Sequence, residues 1–287
     1  DFETITTNRH IPYMVAMDYD NKVFYGEDCG LKMLRYLFHN IPTGTPIKMI
    51  AHNLGYDFRF IQQHLNLGSL IERGHNVMRS EARFYGSKGL YLDILLQDSY
   101  CIIAKPLRAF PDMFGLEMEK ELLAYTLYTK ENCEKKRLTL KEIRPHTDIQ
   151  VRQNMIGKVI KDSDYDKYFN QYVDKAKSWN CYYENYSVGF EPVIDIIKFS
   201  EIYCKRDVEV LKAGWEAFKE TMASINCDLE QYMSAAQIAH DYMVNQNVFQ
   251  DVYKLSSTPR EFIMKAMVGG RTMCCENKKI RKKIKSN

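Results

Sequence analysis

Short apolar runs and segments of helical periodicity alternate in a set order over the first 130 residues, and this order restricts the fold more than any other feature. Apolar runs at residues 11–19 and 22–25 flank the pair Asp20-Asn21, a turn signal typical of a hairpin. A strand that ends near Phe2 precedes them. The beginning of the chain therefore predicts three consecutive antiparallel strands.

The next segments extend this pattern into a sheet covered by helices. Strand-like runs follow at residues 47–51, 69–71, 76–85 and 90–96. Helices are predicted from a cap at Asp28 to a stop before Pro42, directly after Asp57, and from Pro106 through Leu107, Phe110 and Phe114. The order β-β-β-α-β-α-β-β-α predicts an α/β, ribonuclease-H-like fold, a mixed sheet with flanking helices.

The later part of the chain differs in character. Residues 130–200 are charged, rich in tyrosine and helical in pattern, with few strand signals, and they predict a helical insertion. Residues 196–218 form an amphipathic helix that returns to the core. We therefore predict one core domain over residues 1–225 and a helical linker segment over residues 226–287.

Composition excludes several classes of protein. The formal net charge is only +3, although residues 278–285 form a basic tract suited to phosphate contacts. The 8 cysteines include no Cys-x-x-Cys pair, which disfavours zinc or disulfide frameworks and favours a reducing, intracellular compartment. Neither a secretory signal nor an apolar run of about eighteen residues is present. We therefore expect an intracellular protein that is neither secreted nor embedded in a membrane.

Two acidic residues at the start of the chain, Asp1 and Glu3, have the spacing of a metal-binding pair. Side chains alternate across a strand, so residues two apart point the same way. Two carboxylates on one face repel each other, and a divalent cation between them removes that repulsion. The pair alone is a weak signal, because such spacing is common on solvated strands.

Further acidic residues occur at two later junctions. Asp57 follows Asn53 by four residues where a strand gives way to a helix, a place where aspartate also serves as an ordinary helix cap. On the later amphipathic helix, Tyr203 and Asp207 lie one turn apart and therefore side by side. Each motif is common by itself, but their order along the chain is not.

In that order, the motifs resemble the three exonuclease motifs of the 3′–5′ exonucleases. Asp1-Phe2-Glu3-Thr4 and Asn53-Leu54-Gly55-Tyr56-Asp57 are similar to the forms found in protein-primed family B DNA polymerases of phages, viruses and self-synthesising transposons. The resemblance covers residues 1–130 and 196–218. It implies a proofreading exonuclease domain, with residues 226–287 leading towards a polymerase palm domain whose motifs are absent from this sequence.

The resemblance also implies a reaction. Two divalent cations, Mg²⁺ or Mn²⁺, would be held by four carboxylates and would clamp a phosphodiester. Tyr203 would aim the attacking water and Lys120 would neutralise charge nearby. The four implied metal ligands are Asp1, Glu3, Asp57 and Asp207.

Other residues of the family pattern imply contacts to DNA. The implied partners are the single-stranded 3′ end of a primer-template and a terminal priming protein, with the chain acting as a monomer in the cytoplasm or nucleus of a host. Pro106 stands where the family has Ser or Thr before Leu107, and Met267 stands where it has Tyr before a Gly-Gly loop. The implied DNA-binding residues are Thr4, Asn53, Tyr56, Phe60, Leu107, Phe110, Tyr125, Gly269, Gly270 and Arg271.

Two alternatives remain open at the level of sequence. The chain is also consistent with a stand-alone 3′–5′ exonuclease that acts on DNA or RNA, because the same acids serve both substrates. It is further consistent with a non-catalytic nucleic-acid-binding module of the same fold. Because an acidic motif occupies residue one, we expect the chain to be a fragment of a longer product.

Overall fold

The fold is known from a computed structural model that describes residues 1–5, 9–74, 76–117, 123–184, 191–251 and 256–266. Residues Asp1–His240 form one compact unit, and Asp241–Asn287 form a second. The strands are β1 (Phe2–Ile5), β2 (Ile11–Ala16), β3 (Val23–Tyr25), β4 (Ile47–Ala51), β5 (Asn66–Arg73), β6 (Asn76–Tyr85), β7 (Tyr91–Asp98), β8 (Arg137–Thr139), β9 (Tyr182–Tyr183) and β10 (Val193–Asp195). The helices are α1 (Cys29–Asn40), α2 (Leu54–Ile61), α3 (Phe110–Phe114), α4 (Lys130–Lys135), α5 (Leu140–Asn154), α6 (Asp162–Ser178), α7 (Ile196–Ala223), α8 (Ala235–Asn245) and α9 (Ser257–Ala266).

The strands before the insertion form two sheets in the described part of the chain. One has the order β1-β2-β3 and is antiparallel, as predicted. The other has the order β4-β7-β6-β5, in which β4 runs parallel to β7 and the remaining pairs are antiparallel. A parallel pair needs a crossover between its strands, and α2 with the β5–β6 hairpin supplies it. The predicted mixed sheet is thus present, beside a separate antiparallel one.

Three predicted helix starts need correction. Helix α2 begins at Leu54, not after Asp57, so Asp57 lies inside its first turn. Asp28 does occupy the N-cap position of α1, but its side chain caps no backbone N–H and instead forms an ion pair with Lys32 at 2.7 Å. Pro106 precedes a 3-10 turn at Leu107–Ala109, and the α-helix starts only at Phe110.

The insertion is not purely helical, which is a further correction. Strands β8, β9 and β10 form a small sheet of order β8-β10-β9, and α5 and α6 pack together beside it. A capping box starts α5, because Thr139 accepts from the Glu142 N–H and the Glu142 carboxylate accepts from the Thr139 N–H. Strands of two or three residues carry too short a pattern to be visible in sequence.

Helix α7 joins the insertion to the core. Asp195 caps it by accepting a hydrogen bond from the Lys198 N–H at 3.0 Å. Its buried residues recur at helical spacing and belong to two of the hydrophobic clusters. The buried face of α7 consists of Ile196, Phe199, Ser200, Tyr203, Cys204, Asp207, Val210, Gly214 and Trp215.

Within the described residues, none of the helices combines the length and the apolar character that crossing a membrane requires.

Candidate active site

The first two acidic residues lie together at the start of β1. Phe2 pairs with Val15 of β2, and the Asp1 ammonium donates to the Ala16 carbonyl at 3.0 Å, which anchors the end of the strand. Carboxylate atoms of Asp1 and Glu3 lie within 4.8 Å of each other, as predicted for residues that share one strand face. Glu3 is buried, whereas Asp1 is exposed.

The third acid, Asp57, is fixed by a contact to the first strand. Its Oδ1 accepts a hydrogen bond from the Phe2 N–H at 3.0 Å, which ties α2 to β1. Burial raises the pKa of the Asp57 carboxyl, and the hydrogen bond from the Phe2 N–H partly opposes that change. An acid whose charge is unfavourable in its surroundings gains from binding a cation.

Asn53 shapes the loop before α2. It adopts the left-handed conformation with φ 69°, which Asn tolerates better than most residues. Its N–H donates to Oδ1 of the buried Asp98 at 2.9 Å, and the Tyr100 N–H donates to the same oxygen at 2.8 Å. The carboxyl ends of β4 and β7 are therefore held together by one carboxylate, and Asn53 is left exposed beside Asp57.

The tyrosine and the fourth acid project from α7 as the sequence predicts. Tyr203 and Asp207 are both buried on one face of the helix. Burial, and then the charge of Asp207, raise the pKa of the Tyr203 phenol well above its ordinary value. The Tyr203 hydroxyl lies 3.2 Å from the Tyr125 hydroxyl. Tyr203 is therefore a neutral phenol that can donate a hydrogen bond at neutral pH.

One pocket of about 470 Å³ brings these elements together. Asp1, Asp57 and Asp207 contribute to its walls from β1, α2 and α7. Asn53 and Leu107 lie at the same pocket. Glu3 does not line the pocket itself, but its carboxylate lies within 4.8 Å of that of Asp1. Residues that are more than two hundred positions apart in sequence thus face a common space, as the predicted site requires.

The donor set fits a hard divalent cation. Carboxylate oxygens are the ligands that Mg²⁺ and Mn²⁺ prefer. A group of Asp1, Glu3 and Cys204 has ligand atoms that all lie within 4.8 Å of one another. Burial raises the pKa of the Cys204 thiol, with the charge of Glu3 adding to it, so the sulfur stays neutral and is a poor ligand for these ions. The two carboxylates are therefore the fitting donors of that group.

Three of the predicted DNA-binding residues form a cluster beside the acids. The Tyr56 hydroxyl lies 2.7 Å from Thr4 Oγ1. The Tyr56 and Phe60 rings pack edge to face with centroids 5.4 Å apart, and Phe60 also contacts Phe2. Tyr56 and Phe60 are half-buried, so each keeps surface that a base can reach. His10 contacts Tyr56 as well and was not predicted from the sequence.

Phe110 is a correction. It was predicted to bind DNA, but its side chain is fully buried between His52, Phe114 and Gly214. A ring with no exposed surface cannot stack on a base. Phe110 instead packs beneath the turn that carries Leu107, which is half-buried and lines the pocket.

The pocket includes a residue that the sequence reasoning missed. Tyr100 is 40% exposed and lines the pocket next to Asn53. The sequence does carry a signal for Tyr100. In the family pattern, Ser or Thr precedes an apolar residue and a second apolar residue follows three positions later. Ser99, Tyr100 and Ile103 have this spacing, as do Pro106, Leu107 and Phe110 apart from the proline. Four predicted residues lie outside the described residues, namely Lys120, Gly269, Gly270 and Arg271.

Comparison with known proteins identifies the family. A family model described as DNA polymerase type B, organellar and viral, matches residues 43–286. The chain belongs to this family. A curated DNA polymerase of Kluyveromyces lactis is 25% identical to this type B chain over 269 residues, which cover 86% of the chain and 24% of the yeast protein.

Solved structures agree with this assignment at the level of fold. Phi29 DNA polymerase complexed with primer-template DNA, and the same polymerase complexed with single-stranded DNA, each superpose with a TM-score of 0.51. The sequence identities are 13% and 14%, and each match covers 96% of this chain and 40% of the other. The predicted α/β fold is thus confirmed, and the family match agrees with the predicted resemblance to family B DNA polymerases.

Proposed function

We propose that this type B polymerase chain removes nucleotides from the 3′ end of single-stranded DNA and so acts as a proofreading exonuclease. The observation that carries the proposal is the convergence of Asp1, Asp57 and Asp207 on one pocket, with Glu3 beside Asp1. Acids packed this closely are costly in a folded protein unless cations compensate them. Phosphodiester hydrolysis is the reaction that such a carboxylate cluster serves.

The acids divide naturally between two cation positions. Asp1, Glu3 and Asp207 would hold one cation, and Asp1 and Asp57 would hold the second. When bound, such a pair lowers the pKa of the attacking water and stabilises the leaving 3′ oxygen. Burial raises the pKa of Asp57, and a bound cation would offset the cost of holding its charge in that buried place.

Tyr203 orients the attacking water in this proposal. Its phenol is neutral, so it donates a hydrogen bond and does not act as a base. The Tyr125 hydroxyl lies 3.2 Å away and can donate to the Tyr203 oxygen, which leaves the Tyr203 proton for the water. Lys120 remains a proposed neutralising charge from the family pattern.

DNA is held by surfaces that read no particular base. Tyr100 and Leu107 line the pocket and offer it flat or apolar faces. Tyr56 is half-buried, and Tyr125, which is 48% exposed, contacts Tyr203, so both keep ring surface for a base. Stacking on aromatic side chains stabilises single-stranded DNA by roughly 1–3 kcal/mol per base and tolerates every base. Asn53 and Thr4 supply polar groups for the terminal nucleotide. A proofreading enzyme needs this tolerance, because any base can be misincorporated.

The chain spans about a quarter of the yeast polymerase and two fifths of the phi29 polymerase that it matches. We therefore propose DNA synthesis, and priming by a terminal protein, only for a full-length product and not for this chain. The substrate of this chain is proposed to be a frayed primer end. A mismatched end frays more readily than a paired one and so reaches the pocket more often.

The test replaces Asp1 and Glu3 with Ala and follows degradation of a single-stranded oligonucleotide in Mg²⁺. The double variant should lose at least a hundredfold in rate. Equal cleavage by the variant and the wild type would refute the proposal. Faster cleavage of RNA than DNA would favour a general exonuclease, and absence of Mg²⁺ or Mn²⁺ binding in calorimetry would favour a non-catalytic binding module.

A further inference from the structure

The insertion shares a hydrophobic core with the site's tyrosine. Ile143 of α5 and Tyr172 of α6 are buried in the same cluster as Tyr203. Leu123, Ala124, Leu127 and Tyr128, which surround Tyr125 in sequence, belong to that cluster too. The insertion therefore packs directly against the segment that presents Tyr125.

Two polar contacts join α5 to the 3-10 turn at Tyr125–Leu127. Gln150 is buried, and its Oε1 accepts a hydrogen bond from the Tyr125 N–H at 3.3 Å. His146 lies one turn earlier on α5, with Nδ1 3.1 Å from Thr126 Oγ1. The Gln150 amide is itself oriented, because its Nε2 donates to Asn154 Oδ1 at 3.1 Å. The turn is thus held through its backbone and through a side chain.

The position of the Tyr125 side chain depends on this turn. The Tyr125 side chain is nearly half exposed, so its own packing does not fix it. Its hydroxyl nevertheless lies 3.2 Å from the hydroxyl of the buried Tyr203. Tyr125 is therefore held at both ends of the residue: Gln150 binds its backbone N–H, and Tyr203 contacts its hydroxyl.

We propose that Gln150 is a positioning residue for the exonuclease site, and that the insertion serves to hold Tyr125 where single-stranded DNA passes Tyr203. This inference rests on the proposed function and assigns a role to residues 130–200. A glutamine suits the task, because its amide accepts from the turn and donates to its own helix at the same time. Loss of the acceptor removes this hydrogen bond between α5 and the turn and so loosens the turn.

The test compares Gln150→Met with Gln153→Met, an exposed glutamine on the same helix that serves as the matched control. Methionine keeps the length of the side chain and removes the acceptor. We expect Gln150→Met to raise KM for a single-stranded oligonucleotide about three- to tenfold with kcat changed less than twofold, as loss of one neutral hydrogen bond implies. The control should change neither constant.

A double-mutant cycle with Tyr125→Phe separates positioning from general destabilisation. If Gln150 acts through Tyr125, the combined variant should weaken DNA binding by less than the product of the two single effects. Fully multiplicative effects, or an unchanged KM in Gln150→Met, would overturn the inference while leaving the exonuclease proposal intact. The melting temperature of each variant identifies a change that is merely structural.

Affinity for the oligonucleotide, measured by fluorescence anisotropy with Ca²⁺ in place of Mg²⁺, does not depend on cleavage. Weaker binding by Gln150→Met, together with a wild type that cleaves nothing, would support the positioning role and refute the exonuclease function. Equal binding by Gln150→Met and the wild type would refute the positioning role whatever the cleavage result.

Discussion

A buried phenol beside a carboxylate behaves differently from a tyrosine in water. The raised pKa of Tyr203 keeps its proton in place, so its contribution to the proposed hydrolysis would be a directed hydrogen bond. Sequence spacing predicted that Tyr203 and Asp207 lie side by side, because a helix fixes neighbours four residues apart. Sequence could not predict that both side chains are buried, because the elements that pack against them, β1 and the turn at Tyr125–Leu127, are distant in sequence.

Replacement of Tyr203 by Phe removes only the hydroxyl. We expect kcat to fall at least tenfold, because the attacking water loses its orientation, while KM for DNA changes less than threefold. Steady-state cleavage of a single-stranded oligonucleotide measures both constants. Tyr36→Phe removes a surface hydroxyl that bonds Asp20 and is the control. An unchanged kcat in Tyr203→Phe would contradict the role assigned to Tyr203.

His146 gives the insertion a dependence on pH. Burial lowers the pKa of its imidazole below the ordinary value of 6.5, so the folded state favours the neutral form. The unfolded state therefore binds the proton more readily, and stability is full above about pH 6.5 and declines as pH falls through the lower, folded pKa.

Urea denaturation at pH 7.5 and pH 5.5 should show a larger loss of unfolding free energy for the wild type than for His146→Gln. Glutamine retains hydrogen bonding to Thr126 and does not titrate. Equal losses in the two proteins would show that His146 does not carry this pH dependence.

At the scale of elements, local pattern predicted the strands before the insertion well and helix starts poorly. Strand β4 has the predicted bounds because four of its five residues are apolar and the run ends at a polar loop. Helix α2 begins four residues earlier than predicted, because Asp98 of β7 accepts from the Asn53 N–H and stabilises its left-handed conformation. That contact spans 45 positions, so no local pattern contains it.

The packing of α7 on α3 depends on a glycine. A Cβ at Gly214 would lie 2.3 Å from Cδ2 of the buried Phe110. Alanine is favoured over glycine in a helix by about 1 kcal/mol, but forcing two elements apart typically costs about 1–3 kcal/mol.

We expect Gly214→Ala to lower the free energy of unfolding by about 1 kcal/mol and to weaken oligonucleotide binding, because α3 and the Leu107 turn must move. Urea denaturation and fluorescence anisotropy measure the two effects. Stabilisation by Gly214→Ala with unchanged DNA binding would show that this contact relaxes freely.

At the scale of the whole molecule, the site is assembled from β1, α2 and α7, with the insertion behind it. The grouping of the acids was predictable, because strand and helix periodicity fixes which side chains share a face and the order of the motifs resembles a known pattern. The burial of Phe110 and the exposure of Tyr100 were not, since each depends on what another element packs against it. The three strands of the insertion could not be predicted for the same reason. They pair with one another across the insertion, and no local sequence pattern records that pairing.

The central claim is that the acids of this type B polymerase chain hydrolyse a DNA 3′ end. Its most direct test follows the shortening of 5′-labelled single-stranded DNA in Mg²⁺ by the wild type, by Asp207→Asn and by Asp174→Asn, an exposed aspartate of the insertion. We predict stepwise shortening from the 3′ end by the wild type and Asp174→Asn, with a loss of at least a hundredfold in Asp207→Asn. Equal shortening by all three proteins would contradict the claim.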